Sequence, residues 1–278
     1  MSDPSQRAID ETLLEYYGDR FDEADRLVGR SDQGRIEFER TQELITRRVP
    51  AGARILDVGG ATGVHAVPLA ARGDTVTLID PVPSHVAAAR AHGTFDVQLG
   101  DARDLPHPDA SVDAVLLLGP LYHLVAREDR LRAVREAVRV TRPGGYVFGA
   151  AISRTMAHVY TSTIAPAMDP EPARRSPYPP DWVALLEHGT IDVSRKGFPG
   201  GHFHLSEELA DELTDGGLTD VEVHGLEGPG GMPLEVARTH DATLRDAAML
   251  LARRFGQAPG LRDLSQHLLG IGRVPSPG

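Results

Sequence analysis

The sequence predicts an α/β fold with a doubly wound, mostly parallel sheet, and three observations support this prediction. Short β-rich runs alternate with helical stretches over residues 54–153, a rhythm typical of parallel strands joined by crossover helices. A glycine-bearing turn follows the first of these strands, and acidic residues stand at several strand ends. Because parallel strands end at one edge of a sheet, these features should meet there.

Apolar patterning defines the elements of the predicted sheet. We expect strands at residues 54–58, 75–79, 95–99, 112–118 and 146–151, with helices at 63–71, 83–92 and 127–141 between them. The last of these helices is followed by Arg142-Pro143-Gly144-Gly145, a strong breaker sequence. The fifth strand is therefore expected to begin directly after this breaker.

The segments on either side of the sheet predict an appended lid. Helices are expected at 9–17 and 36–49, so residues 1–50 are predicted to be N-terminal helices that form part of the lid. Residues 51–274 are predicted to form the ligand-binding domain. Within it, the proline-rich segment 154–204 is predicted to be a lid insertion for a second ligand, and the tail at 275–278 is expected to be loose.

Regular elements return after the insertion. A helix is expected at 205–216, with Ser206 as its N-cap and Gly216 at its end. A strand at 219–224, a helical stretch at 233–255 and a final strand at 266–274 complete the chain. The pattern thus supplies seven strands for one sheet.

Composition restricts the function classes. The chain has 278 residues, a formal net charge of −11 and no cysteine. The negative charge disfavours a nucleic-acid partner, because it repels phosphate. The lack of cysteine excludes disulfides, thiolate metal sites and cysteine nucleophiles. The chain has no signal-like start and no apolar run long enough to span a bilayer, so we predict a cytoplasmic protein that does not contact membranes. We expect it to be a monomer or a homodimer.

Residues 55–63 read Ile-Leu-Asp-Val-Gly-Gly-Ala-Thr-Gly, a buried strand that runs into a turn with little side-chain bulk. A ligand can approach the backbone closely at such a turn, and the following helix directs N–H groups at it. Dinucleotide-binding proteins require G-x-G-x-x-G, a spacing that Gly59, Gly60 and Gly63 do not have. An NAD-type oxidoreductase is therefore the weaker interpretation.

This turn resembles motif I of the class I S-adenosylmethionine (SAM)-dependent methyltransferases, in which an acidic residue opens a D-x-G-x-G-x-G turn. Ala61 replaces the middle glycine, which costs little if its φ is negative. The resemblance covers residues 54–153 closely, and 203–209, 227–230 and 267–273 more loosely. It implies a Rossmann-like methyltransferase fold of bacterial small-molecule type, with a seven-stranded mixed sheet whose seventh strand is antiparallel and lies beside the fifth.

The predicted cofactor is SAM, with S-adenosylhomocysteine as its product. Asp80 ends the second strand about 20 residues beyond the glycine turn, where a carboxylate can accept hydrogen bonds from ribose hydroxyls. The resemblance assigns Asp101 to the adenine amino group and the next backbone N–H to a ring nitrogen. The predicted cofactor-binding residues are Asp57, Gly59, Gly60, Ala61, Gly63, Asp80, Pro81, Asp101, Ala102 and Leu118.

The methyl acceptor is predicted to bind past the fourth strand and under the insertion. That strand end faces the transferable methyl group in the fold that the resemblance implies, which makes His123 the candidate base. The predicted catalytic residues are His123, Tyr122 and Glu171, and the predicted substrate-binding residues are Tyr16, Tyr17, His158, Tyr160, Arg174, Tyr178, Trp182 and His204. A metal site at His202, His204 and Glu207 is conceivable, but this methyl transfer needs no metal and none is predicted.

These observations together predict methyl transfer by in-line displacement to an oxygen, nitrogen or carbon atom of a small molecule, for example in specialised metabolism. A noncatalytic SAM-binding regulatory protein is the first alternative, and formation of S-adenosylhomocysteine would separate the two. Titration with SAM and NAD would separate the methyltransferase from an oxidoreductase. A protein or peptide acceptor is a further alternative that the sequence leaves open.

Overall fold

The computed structural model describes residues 6, 9–13, 27, 29, 31–164, 181–191, 200–237 and 240–276, apart from the side chains of residues 181–184 and 191. Within these residues, helices and strands largely alternate along the chain. In order they are α1 (Asp32–Thr46), β1 (Arg54–Val58), α2 (Ala66–Ala71), β2 (Thr75–Asp80), α3 (Pro83–Arg90), β3 (Asp96–Leu99), β4 (Val112–Leu117), α4 (Pro120–His123), α5 (Arg127–Val140), β5 (Thr141–Ile152), α6 (Arg154–Val159), α7 (Asp181–His188), β6 (Thr190–Ile191), β7 (Gly201–His202), α8 (Ser206–Asp215), β8 (Thr219–Gly225), α9 (Gly231–Ala237), α10 (Ala242–Phe255) and β9 (His267–Arg273).

The main sheet has seven strands in the order β3-β2-β1-β4-β5-β9-β8. Strands β1 to β5 are parallel to one another, whereas β9 is antiparallel to both β5 and β8. This arrangement confirms the predicted doubly wound mixed sheet with an antiparallel last strand beside the fifth. The strand order reverses between β1 and β4, and ligands bind beyond the carboxyl ends of strands at such a point.

Both faces of the sheet are covered, because successive strand residues point to opposite faces. On β4, Val115 and Leu117 pack in a cluster with residues of α5 and α8, and Ala114 and Leu116 pack in a second cluster with residues of α1 and α2. A third cluster joins Ile36 of α1 to α9 and α10. This last contact holds α1 over the carboxyl edge, where the site lies.

The predicted start of the fifth strand was wrong for a tertiary reason. Strand β5 begins at Thr141 and includes the segment predicted to be a breaker. Gly144 N–H donates to Val274 O and Val274 N–H donates to Gly145 O, at 2.8 and 2.9 Å, so pairing with the end of the chain keeps this segment extended. A register shift between Val112 and Ala114 accommodates it against β4.

The prediction of Ser206 as an N-cap was also wrong. Leu205 is the N-cap, and Ser206 is the first helical residue of α8. The Ser206 hydroxyl and N–H both donate to the carboxylate of Asp263, at 2.6 and 2.9 Å, so the serine ties the helix to a distant segment. The predicted helix at 233–255 is divided into α9 and α10, and Asp241 caps the second of these.

Within the described ranges, no helix combines the length and the apolar character needed to cross a membrane. The predicted division into N-terminal lid helices, main domain and lid insertion stays a prediction.

Candidate functional site

A cavity of about 280 Å³ opens at the carboxyl edge of the sheet, around the point where the strand order reverses. The ends of β1, β2 and β4 form its floor, and residues of α1 and β9 complete its wall. The predicted site residues that line it are Asp57, Gly59, Gly60, Ala61, Asp80, Pro81, Asp101, Ala102, Leu118, Tyr122 and His123. Folding therefore brings most of the predicted cofactor residues to one space.

Other predicted residues do not line this cavity. His158, Tyr160 and His204 are absent from its lining, and His204 is fully buried with its Nε2 3.2 Å from Glu212 Oε2. Gly63 is absent from the lining too, and a Cβ atom there would lie 2.7 Å from Phe95 Cζ. Tyr16, Tyr17, Glu171, Arg174 and Tyr178 lie outside the described residues, as does the side chain of Trp182.

The glycine turn is shaped by close contacts that leave no room for a Cβ atom. Gly59 has φ 72°, and a Cβ atom there would lie 2.7 Å from Pro120 Cδ. A Cβ atom on Gly60 would lie 2.6 Å from Asp57 Oδ2. These glycines therefore let the backbone form the cavity floor directly.

Ala61 adopts φ 49°, so the negative φ at which alanine costs little is not the conformation of this turn. Its N–H donates to Asp80 Oδ2 at 2.9 Å, and this bond helps hold the residue in the left-handed region. The turn therefore has the shape that a glycine would adopt without strain.

We expect Ala61→Gly to raise the free energy of unfolding by about 1 kcal/mol, because glycine removes the left-handed strain. Urea denaturation of the ligand-free protein measures the change. The matched control is Ala70→Gly in α2, where glycine should instead lower the stability by about 0.5–1 kcal/mol. Equal losses in both variants would contradict the assigned strain.

Asp57 is a buried carboxylate in the wall of the cavity. Neither of its oxygens has a hydrogen-bond partner in the described part of the chain. Burial, and then the nearby Asp80 carboxylate, raise the pKa of Asp57 to about 7. An unpartnered buried carboxylate is costly, so this position favours a cationic ligand group.

Asp80 organises the ribose side of the predicted site. Its Oδ2 accepts from Ala61 N–H, and its Oδ1 accepts from Val82 N–H, both at 2.9 Å. His85 Nδ1 lies 3.1 Å from the same Oδ1. His85 also lines the cavity and was missed from sequence, although its place in the first turn of a helix after an acidic strand end was a usable signal.

Asp101 is held by an arginine that the sequence analysis did not identify. Arg103 Nε donates to Asp101 Oδ1 at 2.9 Å, and Arg103 Nη2 donates to Oδ2 at 2.5 Å. Burial raises the pKa of Asp101, but the hydrogen bonds from Arg103 outweigh this effect and lower it overall. The carboxylate at the predicted adenine position is therefore ionised and fixed in orientation.

His123 ends the short helix α4 and is buried. Burial lowers its pKa to about 4, against the opposing effects of a backbone hydrogen bond with Gly200 and of Asp80, so the ring is neutral at pH 7. The Gln6 side chain donates to His123 O at 3.0 Å and accepts from Val125 N–H at 2.9 Å. An N-terminal residue therefore fixes the backbone on both sides of this helix end.

The wall formed by β5, β8 and β9 contains residues that the sequence analysis missed. Ala150 of β5, Leu226 after β8 and His267 of β9 line this side of the cavity, together with Glu37 and Thr41 of α1. Their separation along the chain leaves no local signal. The loose resemblance at 267–273 marked this segment without indicating a role for its histidine.

Comparisons with known proteins agree with this geometry. A family model described as a methyltransferase domain matches residues 56–149. The demethylmenaquinone methyltransferase of Renibacterium salmoninarum is 31% identical over 199 residues, which cover 69% of this chain and 78% of that protein. The ubiquinone biosynthesis O-methyltransferase of Methylocella silvestris is 37% identical over 110 residues, which cover 38% of this chain and 42% of that protein.

One solved structure shows the same fold over nearly the whole chain. It is a SAM-dependent methyltransferase from Thermotoga maritima, described as a possible histamine N-methyltransferase, with a TM-score of 0.59 and 18% identity over 96% of this chain and 99% of that one. The chain spans less than half the length of several curated relatives that it matches, for example 47% and 42% of two of them.

Proposed function

This chain belongs to the class I SAM-dependent methyltransferases, and on that premise we propose that it transfers a methyl group to an oxygen, nitrogen or carbon atom of a small-molecule acceptor. SAM is the cofactor of this family. The observation that carries the proposal is the buried Asp57 carboxylate, which has no partner within the described residues and lies beside a glycine turn in the cavity wall.

The residues of the cavity fit SAM by their chemistry. Asp57 would accept hydrogen bonds from the ammonium group of the methionine part, which supplies the partner that its oxygens lack. Asp80 would accept from the ribose hydroxyls through Oδ2, which accepts from Ala61 N–H and has a further lone pair. Asp101 and the N–H of Ala102 would bind the adenine edge. When bound, SAM supplies a methyl group already activated by a sulfonium leaving group.

The remaining task of the protein is to align the acceptor and to exclude water. Alignment of this kind contributes about 7–11 kcal/mol of barrier reduction in well-oriented systems. His123 is neutral and lies next to Tyr122, with 4.7 Å between the ring centroids. We assign both residues to contact with the acceptor past β4, together with Glu171 as a third predicted catalytic residue.

The acceptor class is a proposal that the relatives support in part. One relative is named as an O-methyltransferase of ubiquinone biosynthesis and another as a demethylmenaquinone methyltransferase, so a quinone-type ring is the acceptor class that they suggest for this chain. A role in specialised metabolism, the lack of a nucleic-acid partner, the monomeric or homodimeric state and the cytoplasmic location stay predictions. So do the substrate contacts of Tyr16, Tyr17, His158, Tyr160, Arg174, Tyr178, Trp182 and His204.

Binding and turnover test the function in two steps. Calorimetric titration should show binding of SAM and S-adenosylhomocysteine and none of NAD. Formation of S-adenosylhomocysteine is then measured with a catechol, a reduced naphthoquinone and an aromatic amine as probes of oxygen, carbon and nitrogen acceptors. Cofactor binding without turnover on a broad acceptor panel would favour the noncatalytic alternative, and binding of NAD in place of SAM would favour an oxidoreductase.

We expect Asp80→Ala to weaken SAM binding by at least about 1–3 kcal/mol, because it removes a charged hydrogen-bond acceptor. Calorimetry measures the dissociation constant, and thermal unfolding detects any separate loss of stability from the Ala61 and Val82 N–H groups. The control is Asp96→Ala at the exposed start of β3. Unchanged affinity in the Asp80 variant would show that the ribose binds elsewhere.

A further inference from the structure

One histidine and two glutamates meet on the side of the cavity that β5, β8 and β9 form. His267 begins β9, Glu227 follows β8, and Glu37 lies on α1. The residues predicted to bind ribose and adenine end β2 and β3, on the other side of the β1–β4 pair in the sheet. If the cofactor binds as proposed above, His267 therefore lies on the acceptor side.

His267 Nδ1 lies between the two carboxylates. It is 2.5 Å from Glu227 Oε1 and 3.1 Å from Glu37 Oε2. Glu227 is fully buried and Glu37 is nearly so. The imidazole is thus held in one orientation, with its ring in the cavity lining.

The hydrogen bonds around Glu227 determine where the proton of the imidazole sits. Ser265 Oγ accepts from the N–H groups of Glu227 and Gly228, so its own hydrogen donates to Glu227 Oε2 at 2.5 Å. The backbone N–H of His267 also donates to Glu227 Oε2, and Gln33 Nε2 donates to Glu227 Oε1 at 2.5 Å. Glu227 therefore acts as an acceptor on both oxygens, and the hydrogen between Oε1 and the ring belongs to His267 Nδ1.

With its hydrogen on Nδ1, the neutral ring carries its basic lone pair on Nε2. Serine hydrolases use the same arrangement: a buried carboxylate binds Nδ1–H of a histidine, orients the ring and stabilises its protonated form. We infer that His267 is the general base for a hydroxyl-bearing acceptor and that Glu227 is its positioning residue. This inference rests on the proposed function, since it names the acceptor class of the same site.

The charge balance of the reaction supports this role. The acceptor O–H proton passes to His267 Nε2 while the acceptor oxygen bonds to the methyl carbon. The carbon–sulfur bond breaks with its electron pair retained on sulfur, which yields S-adenosylhomocysteine and an imidazolium. The positive charge thus moves from the sulfonium to a ring beside Glu37 and Glu227, and two carboxylates stabilise it there.

The other histidines of the cavity are less suited to this role. His85 binds Asp80 on the ribose side. His65 Nδ1 accepts from Gln42 Nε2 at 3.0 Å, which places the hydrogen on its Nε2 and makes that nitrogen a donor. His123 is buried, and this burial lowers its pKa to about 4, which makes its ring a weak base.

A metal ion is the competing explanation for the cluster. One donor atom from each of Glu37, Glu227 and His267 lies within 4.8 Å of the others. The 2.5 Å separation of Nδ1 and Oε1 is that of a direct hydrogen bond, whereas two ligands of one ion repel and stand further apart. We therefore argue for the base and make the metal an outcome of the test.

The first experiment reads the tautomer without relying on turnover. The full chain is labelled with nitrogen-15 in histidine and saturated with S-adenosylhomocysteine at pH 8, and His267→Asn assigns the signal. We expect a neutral ring with hydrogen on Nδ1, and loss of that pattern in Glu227→Gln. A ring with hydrogen on Nε2, or one that stays doubly protonated, would overturn the inference.

The second experiment separates the base from the fold and from cofactor binding. In His267→Asn, the asparagine amide can replace the Nδ1–H donor to Glu227, and the base is lost. We expect a SAM dissociation constant within about twofold of the parent value and a loss of kcat on the catechol probe of about 10²- to 10⁴-fold. The control is His240→Asn, at an exposed histidine just before α10 that lies outside the cavity lining, and it should leave both unchanged.

The outcomes distinguish the two proposals. If the parent protein fails to bind SAM, the proposed function fails, whatever the state of His267. If SAM binds and the catechol probe is methylated equally fast by the parent and by His267→Asn, only the base is refuted. Loss of catechol turnover on chelation, with recovery on adding Zn²⁺ or Mg²⁺, would replace the base with a metal centre.

Discussion

Glu212→Leu is expected to lower the free energy of unfolding by about 3–5 kcal/mol, because it leaves a buried arginine without its counter-ion. Arg130 Nε donates to Glu212 Oε2 at 2.8 Å, and Arg130 Nη2 donates to Oε1 at 2.6 Å. Both side chains are only 2% exposed. Urea denaturation at pH 7 measures the change.

The double variant Arg130→Met/Glu212→Leu is the matched control. It replaces both charges with apolar groups, so it should recover much of the stability that the single variant loses. A single variant that loses less than about 1 kcal/mol, within the range of exposed ion pairs, would contradict the buried pair.

The same pair gives the stability a defined pH dependence. Burial raises the pKa of Glu212, but the hydrogen bonds from Arg130 and His204 outweigh it and lower the pKa to about 2, from 4.5 in the unfolded chain. The stabilisation is therefore fully present above pH 4.5 and is lost as the pH falls toward 2. The difference in Tm between parent and Glu212→Leu should narrow over this interval.

This ion pair also bears on the site. Arg130 Nη1 donates to Leu124 O at 3.0 Å and to Val125 O at 2.6 Å, directly after His123. His204, which the sequence predicts as a substrate contact, has its Nε2 3.2 Å from Glu212 Oε2. The polar cluster of Arg130, Glu212 and His204 therefore fixes the backbone that follows His123 in the proposed acceptor site.

Asp57→Asn is expected to weaken SAM binding by about 10- to 100-fold, because it removes a buried charged acceptor for the ammonium group. Without ligand, the same change should raise the stability at pH 8. Asp57 has a folded pKa of about 7 against 3.8 unfolded, so the ligand-free fold loses stability as the pH rises from about 4 to 7, where the unfolded chain has already released this proton. The parent protein and Asp57→Asn should be equally stable near pH 4.

Calorimetry and thermal unfolding over pH 4–8 measure both effects. The control is Asp211→Asn, at an exposed position on α8. A variant that loses affinity and ligand-free stability together would show that Asp57 supports the fold rather than the cofactor. Unchanged affinity would remove the observation on which the proposed function depends.

Local chemistry in the chain was enough to predict much of the fold and of the cofactor side. Alternating strand and helix patterns located β1 to β5, because each pattern reports burial within one short segment. Gly59, Gly60, Asp80 and Asp101 could be placed in one cavity before any coordinates, because the carboxyl ends of parallel strands share an edge. Glycine content alone could not predict the left-handed φ of Ala61.

The proposed acceptor side could not be predicted from the sequence, because it is formed by tertiary structure. Glu37, Glu227 and His267 are brought together by α1, β8 and β9, which are far apart in the chain, so no spacing in the sequence reports their contact. The breaker at 142–145 became part of β5 because the end of the chain supplied hydrogen-bond partners. The sequence alone therefore predicted where a nucleoside could bind against the backbone. Packing between distant segments decided which side chains line the proposed acceptor side of the cavity.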